Sequence, residues 1–95
     1  MSKRPPRVLV LWRDTESSSE WQSRAAVERS EPPLCESVGF LLVCNDKKLV
    51  LAHTVTGHDA DAVSDRTTIP RGCVESVRRL KSAGVLALDT EIATR

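Results

Sequence analysis

Apolar residues fall in short runs along this chain, and most of the runs alternate. In "RVLVLWRD", Val8, Val10 and Trp12 share one strand face, and Leu9 and Leu11 the other. Apolar residues on both faces predict a strand that is largely buried. "CESVGFLLVCNDKKLVLAHTVTG" carries the strongest signal. Val38, Phe40, Leu42 and Cys44 share one face, and Leu41 and Val43 the other. Asn45, Asp46, Lys47 and Lys48 supply turn chemistry, and "LVLAHTVT" returns with β-branched residues, which predicts a hairpin. Gly39, early in the first of its strands, marks a bend or bulge.

Between these strands lies "TESSSEWQSRAAVERSEPPL". Ser17 with Glu20, and Ser19 with Gln22, each fit a capping box. Trp21, Ala25 and Ala26 recur near helical spacing, and Arg24 and Arg29 follow Glu20 in the order a helix dipole favours. The pattern predicts a short helix of about two to three turns, ended by Pro32 and Pro33. Downstream, "GHDADAVSD" reads as a polar loop and "RTTI" as a short strand, interrupted at Pro70, Arg71 and Gly72. "CVESVRRL" then reads as a strand. Val74, Val77 and Leu80 also sit three apart, so a helix stays open there. The stretch "KSAGVLALDTEIATR" fits a short helix, an extra strand or disorder.

The order is therefore strand, helix, hairpin, short strand, tight turn, strand. Five short strands fit a small, strongly bent barrel, a mainly β fold in which closure removes exposed edges. We expect one domain over residues 7–80, a loose Pro-containing arm at 1–6 and a tail at 81–95.

Composition narrows the functional classes. With 40% apolar residues, no Tyr, one Phe and two Trp, the core rests on Val and Leu, with Phe40, Trp12 and Trp21 as the only large rings. The formal net charge is +1, whereas dedicated nucleic-acid binders carry a clear basic excess. Cys35, Cys44 and Cys73 form no C-x-x-C pair and read as reduced, buried thiols of a cytosolic protein. The apolar run after "MSKRPP" is too short for a signal peptide or a membrane span, so a soluble, cytoplasmic protein is expected.

Candidate chemistry is sparse. Arg71, at the tight turn beside Gly72, is either a phosphate or base contact or a solvated turn residue whose neighbouring glycine supplies a positive φ. Arg78, Arg79 and Lys81 form one basic cluster, and Lys3, Arg4 and Arg7 another, without the interleaved aromatics that stack on bases. His53, His58, Asp59, Asp61 and Asp65 do not follow a calcium-loop pattern and read as a polar loop, so no metal and no cofactor are expected. Trp12 and Trp21 pack in the core, Trp21 by folding back over the barrel mouth, or else form a partner-binding patch. Ser17, Ser18 and Ser19 lack a nucleophile-elbow context, and no catalytic residue is assigned.

Three resemblances bear on these residues. "IPRGCVESV" resembles the second Sm motif, with Arg71 and Gly72 at the positions that in Sm-like proteins meet RNA, and with last strands that pair between subunits into a ring. Ile69 and Pro70 followed by Val74 are similar to the Src-homology-type (SH3-like) barrel, where Ile-Pro leads into a single 3₁₀ turn before the last strand. Trp12-Arg13-Asp14, the later Trp21, "SVGFLL" and "TIPR" resemble small proteins encoded by bacteriophages and prophages, a likeness that implies a bacterial host cell but no activity. A barrel built from hydrophobic strands with no catalytic constellation leads us to expect a non-enzymatic assembly or interaction module. It would be a homo-oligomeric phage or prophage accessory protein with no membrane partner. The alternative is an Sm-like RNA-binding module using Arg71, Gly72, Arg78 and Arg79. Trp12 and Trp21 are the residues expected to meet a protein partner.

Overall fold

The computed structural model describes residues 4–57 and 59–81. Within them the chain forms β1 (Arg7–Arg13), α1 (Arg24–Arg29), β2 (Leu34–Cys44), β3 (Lys48–Thr56), β4 (Ala62–Pro70), a 3₁₀ turn (Arg71–Cys73) and β5 (Val74–Arg79). The mainly β class and the short helix between the first two strands are as expected. The tail beyond Lys81, and His58, lie outside the described residues.

The five strands make one antiparallel sheet in the order β4-β3-β2-β1-β5. The sheet is not closed: among the described residues β4 and β5 are its two edges and do not pair with each other. Yet the 3₁₀ turn alone joins those edges. In a flat sheet, four spacings would set them roughly 19 Å apart. The extended chain from Pro70 to Val74 reaches roughly 14 Å at most. The sheet must therefore curl.

β2 is where it curls. Leu34 to Phe40 pair with β1, and Phe40 to Cys44 pair with β3, so only Phe40 is held on both sides, by Arg7 and Ala52. The register shifts between Leu41 and Val43, which inserts Leu42 as an extra residue. An extra residue reverses the alternation beyond it. Val43 thus joins the face of Phe40, and Cys44 leaves it, contrary to the unbroken alternation expected from the sequence. Gly39 serves the bend differently, by close approach: a Cβ there would lie 2.8 Å from the Ala52 carbonyl oxygen.

The core is small. Val8, Val10, Leu49, Leu51 and Ile69 are buried together, with Trp12, Leu41, Cys73 and Val74 packed against them. Val50 and Ala52 are buried as well, on the other face of β3, so among the described strands β3 is the one with buried residues on both faces. The hairpin turn closes as its residues predict: Asn45 Oδ1 accepts from the amides of Lys47 and Lys48, each at 2.9 Å.

Several local expectations need correction. β4 starts at Ala62, so the last part of "GHDADAVSD" is strand rather than loop. It pairs with β3 despite its polar side chains, since ladder bonds need only backbone groups. "CVESVRRL" is strand from Val74 to Arg79, not helix. Gly72 does not have a positive φ; among the described glycines Gly57 does, at 71°. Residues 4–6, expected in a loose arm, reach the sheet: Pro6 accepts from the Leu41 amide at 2.8 Å, and Arg4 donates to the Gly57 carbonyl at 2.7 Å.

Candidate interaction surface

Residues 14–33, between β1 and β2, form an exposed arm. Connections longer than about 12–15 residues are uncommon in compact domains and are usually functional or unstructured. This one has a fixed root. Asp14 N–H donates to the Pro33 carbonyl at 3.1 Å, and Arg13 Nη1 donates to the Pro32 carbonyl at 2.8 Å. Arg13 also pairs with Glu75 of β5 at 3.0 Å, so one guanidinium ties the arm's root to an edge strand.

Beyond the root the arm follows local rules only. The helix starts at Ser23, whose Oγ accepts from Ala26 N–H at 3.1 Å. Neither expected capping box forms. Ser18 Oγ instead takes the Glu20 amide at 3.2 Å, a short-range bond that competes with helix formation. The result is six helical residues, closed by Ser30, whose N–H and Oγ both donate to the Val27 carbonyl. None of the helical residues is buried. Trp21 is fully exposed, at 102% of its reference area, and Val27 is 52% exposed. Trp21 therefore neither packs in the core nor covers the sheet, which corrects the core reading of this residue. Trp12 does pack against the core, and its Nε1–H donates to Ser37 Oγ at 3.0 Å.

A second feature is a groove of about 340 Å³ where β2 parts from β3. Ser37 and Val38 line it from β2, Ala52 and His53 from β3, and Asp65 and Thr67 from β4. It exists because β2 runs with β1 up to Phe40 and meets β3 only from Phe40 onward, while β3 continues past Ala52 with β4. Asp65, at φ 57°, interrupts the β3–β4 ladder beside it. His53 Nδ1 lies 3.1 Å from Thr54 Oγ1.

The third feature is the β5 edge. Arg78 and Arg79 are exposed there, and Val77 is 37% exposed. Exposed Arg7 lies alongside on β1, since Val8 pairs with Arg79 and the Leu80 amide donates to the Arg7 carbonyl. Among the described residues no ion pair joins Arg7, Arg78 or Arg79 to a carboxylate. Arg71 and Gly72 are elsewhere, in the 3₁₀ turn at the opposite end of β5. Arg79 is the last of the six strand residues that follow Cys73, roughly 20 Å along the strand. The four arginine and glycine positions expected in one nucleic-acid site thus divide between two ends of a strand. The Arg71 amide donates to the Lys47 carbonyl at 2.9 Å, which pins the turn against the β2–β3 hairpin.

The cysteines are free thiols, but Cys44 is exposed rather than buried, and Cys35 and Cys73 are partly covered. Among the described residues no group of His, Cys, Asp or Glu is arranged to hold a metal ion, and no helix is long and apolar enough to cross a membrane.

These features define the chain's class as a small mainly β domain with an open, curled five-stranded sheet and a projecting arm. Compared with known proteins, the chain matches no family model, no curated protein and no solved structure.

Trp21 stands out in the sequence as a candidate contact residue, but the arm that carries it does not. A signal for the arm is nonetheless present in the chain: residues 14–33 hold five carboxylates and three consecutive serines, with too few apolar residues to dock a helix.

Proposed function

We propose that this chain is a non-enzymatic assembly module that associates with copies of itself. The observation that carries the reading is the fully exposed Trp21 on an arm with a fixed root. Tryptophan is among the residues that dominate interface hot spots, and it reaches that role by becoming desolvated in a partner. The open edges of the sheet support the same reading, because unpaired strands invite pairing or covering. An accessory role in a phage or its host belongs to this proposal only through the resemblance of "TIPR", "SVGFLL" and the Trp12–Asp14 segment.

Size-exclusion chromatography with light scattering over a concentration series tests it. The expected result is a mass above that of one chain that falls on dilution. A strict monomer at every concentration would overturn it.

An RNA-binding reading is favoured by one observation, the exposed arginines 78 and 79 beside Arg7. Titration with U-rich and A-rich oligomers at low salt tests it. Binding that weakens on Arg78→Ala supports it, and no binding to either oligomer removes it.

A further inference from the structure

Charge divides this molecule unevenly. The arm carries Asp14, Glu16, Glu20, Glu28 and Glu31 against only Arg24 and Arg29. Outside the arm the balance reverses, and Arg7, Arg78 and Arg79 meet along the β1–β5 edge, Arg79 on the face of Val77 and Arg7 with Arg78 on the opposite face. Among the described residues no ion pair links an arm carboxylate to these arginines. Each copy therefore displays an acidic arm with an exposed indole, and a basic strand edge with an exposed apolar residue, Val77.

We propose that the arm of one copy docks on the β5 edge of a second copy, with Trp21 against Val77 and the arm carboxylates against Arg7, Arg78 and Arg79. The contact rests on the assembly reading above and names its surface. A second copy is the occupant because one chain carries both halves of a complementary pair. A two-fold arrangement uses each half twice, as an isologous interface requires. Stable interfaces bury about 800 Å² per partner from about 20–30 residues a side. Residues 14–33 reach that range once each copy also contributes its β5 edge. The same docking shields an open sheet edge and an exposed indole together. Charge steers the encounter, and the desolvated indole supplies the affinity.

The test uses the full chain in analytical ultracentrifugation over a range of concentration and salt. Wild type is expected to self-associate, more weakly at high salt because exposed charges are screened. Trp21→Ala is expected to weaken association about thirtyfold, the equivalent of a hot-spot loss. Two charge-reversed variants are then compared. One carries Glu16→Lys, Glu20→Lys and Glu28→Lys, and the other Arg78→Glu and Arg79→Glu. Each alone is expected to be monomeric, and an equimolar mixture is expected to associate, because each reversed half meets its complement in the other variant. Recovery in the mixture also shows that both variants are folded. Self-association that survives both reversals and Trp21→Ala overturns the arm–edge contact while leaving the assembly reading standing. A wild type that is monomeric at every concentration overturns both. A monomer whose Arg78 and Arg79 bind a U-rich oligomer overturns both and assigns the edge to RNA.

Discussion

Gly39 of β2 lies so close to Ala52 of β3 that a Cβ at residue 39 would come within 2.8 Å of the Ala52 carbonyl oxygen. Real Cβ atoms do not come that near, and the obstructing atom is backbone. The contact sits where β2 leaves β1's partner zone and joins β3, and it sets how tightly the sheet folds there. Gly39→Ala is therefore expected to destabilise the fold by about 1–3 kcal/mol, the usual cost of overpacking. Urea denaturation measures it. Gly72→Ala is the control. A Cβ there would meet only open space and the φ of Gly72 is not positive, so a change within about 0.5 kcal/mol is expected.

Asp65 holds φ 57° in the middle of β4. Aspartate and asparagine visit that region at low cost, glycine freely, and β-branched residues poorly. Asp65→Gly is expected to leave stability unchanged or slightly raised, and Asp65→Val to lower it by about 1–3 kcal/mol. Thermal melts of the two variants check the sign. Equal melting temperatures would show that the kink relaxes.

Ile69 is fully buried in the cluster of Val8, Val10, Leu49 and Leu51, immediately before the Pro70 corner. Ile69→Val is expected to cost about 0.5–1.5 kcal/mol and Ile69→Ala about 2–5 kcal/mol, from lost burial and the cavity left behind. In so small a domain the larger change consumes much of the stability margin. Val27→Ala, on the exposed helix, is expected to stay within about 0.5 kcal/mol.

The two tryptophans report opposite surroundings. Trp12 is part-buried and bonded to Ser37, and Trp21 is fully exposed. In dilute protein, Trp12→Phe is expected to leave red-shifted emission that acrylamide quenches readily. Trp21→Phe is expected to leave bluer emission that resists quenching. Similar quenching of the two variants would contradict this placement.

Arg13 and Glu75 form an ion pair whose side chains are 34% and 50% exposed. Exposed pairs contribute about 0.2–1 kcal/mol. A double-mutant cycle with Arg13→Gln and Glu75→Gln is expected to give a coupling energy in that range that shrinks with added salt. A larger, salt-independent coupling would mean that the pair is sheltered in solution.

The strands could be read from the chain because their cause is local. Val8, Val10 and Trp12 alternate with Leu9 and Leu11, β-branched residues crowd the hairpin, and Asn45 carries the side chain that closes its turn. The break at Pro70 was legible too, since proline ends a ladder by removing a donor, whereas the 3₁₀ form of the turn was expected only from the resemblance to the Src-homology-type barrel. Helix placement was less so: several serines competed as caps, and Ser23 prevailed where Ser18 bonded its own neighbourhood instead.

The tertiary structure alone decided two things: that the sheet is open among the described residues, and that Trp21 stands in solvent. Each depends on distances between residues far apart in sequence. Hydrophobicity says that an indole prefers burial, but it does not say whether its own chain can reach around to provide it. Here the arm's root is fixed at Asp14 and Pro33, its helix buries nothing, and the core is filled by valine, leucine and isoleucine. Packing settled where each side chain ended up, because shielding from water is a property of the whole fold and alternation is a property of the strand.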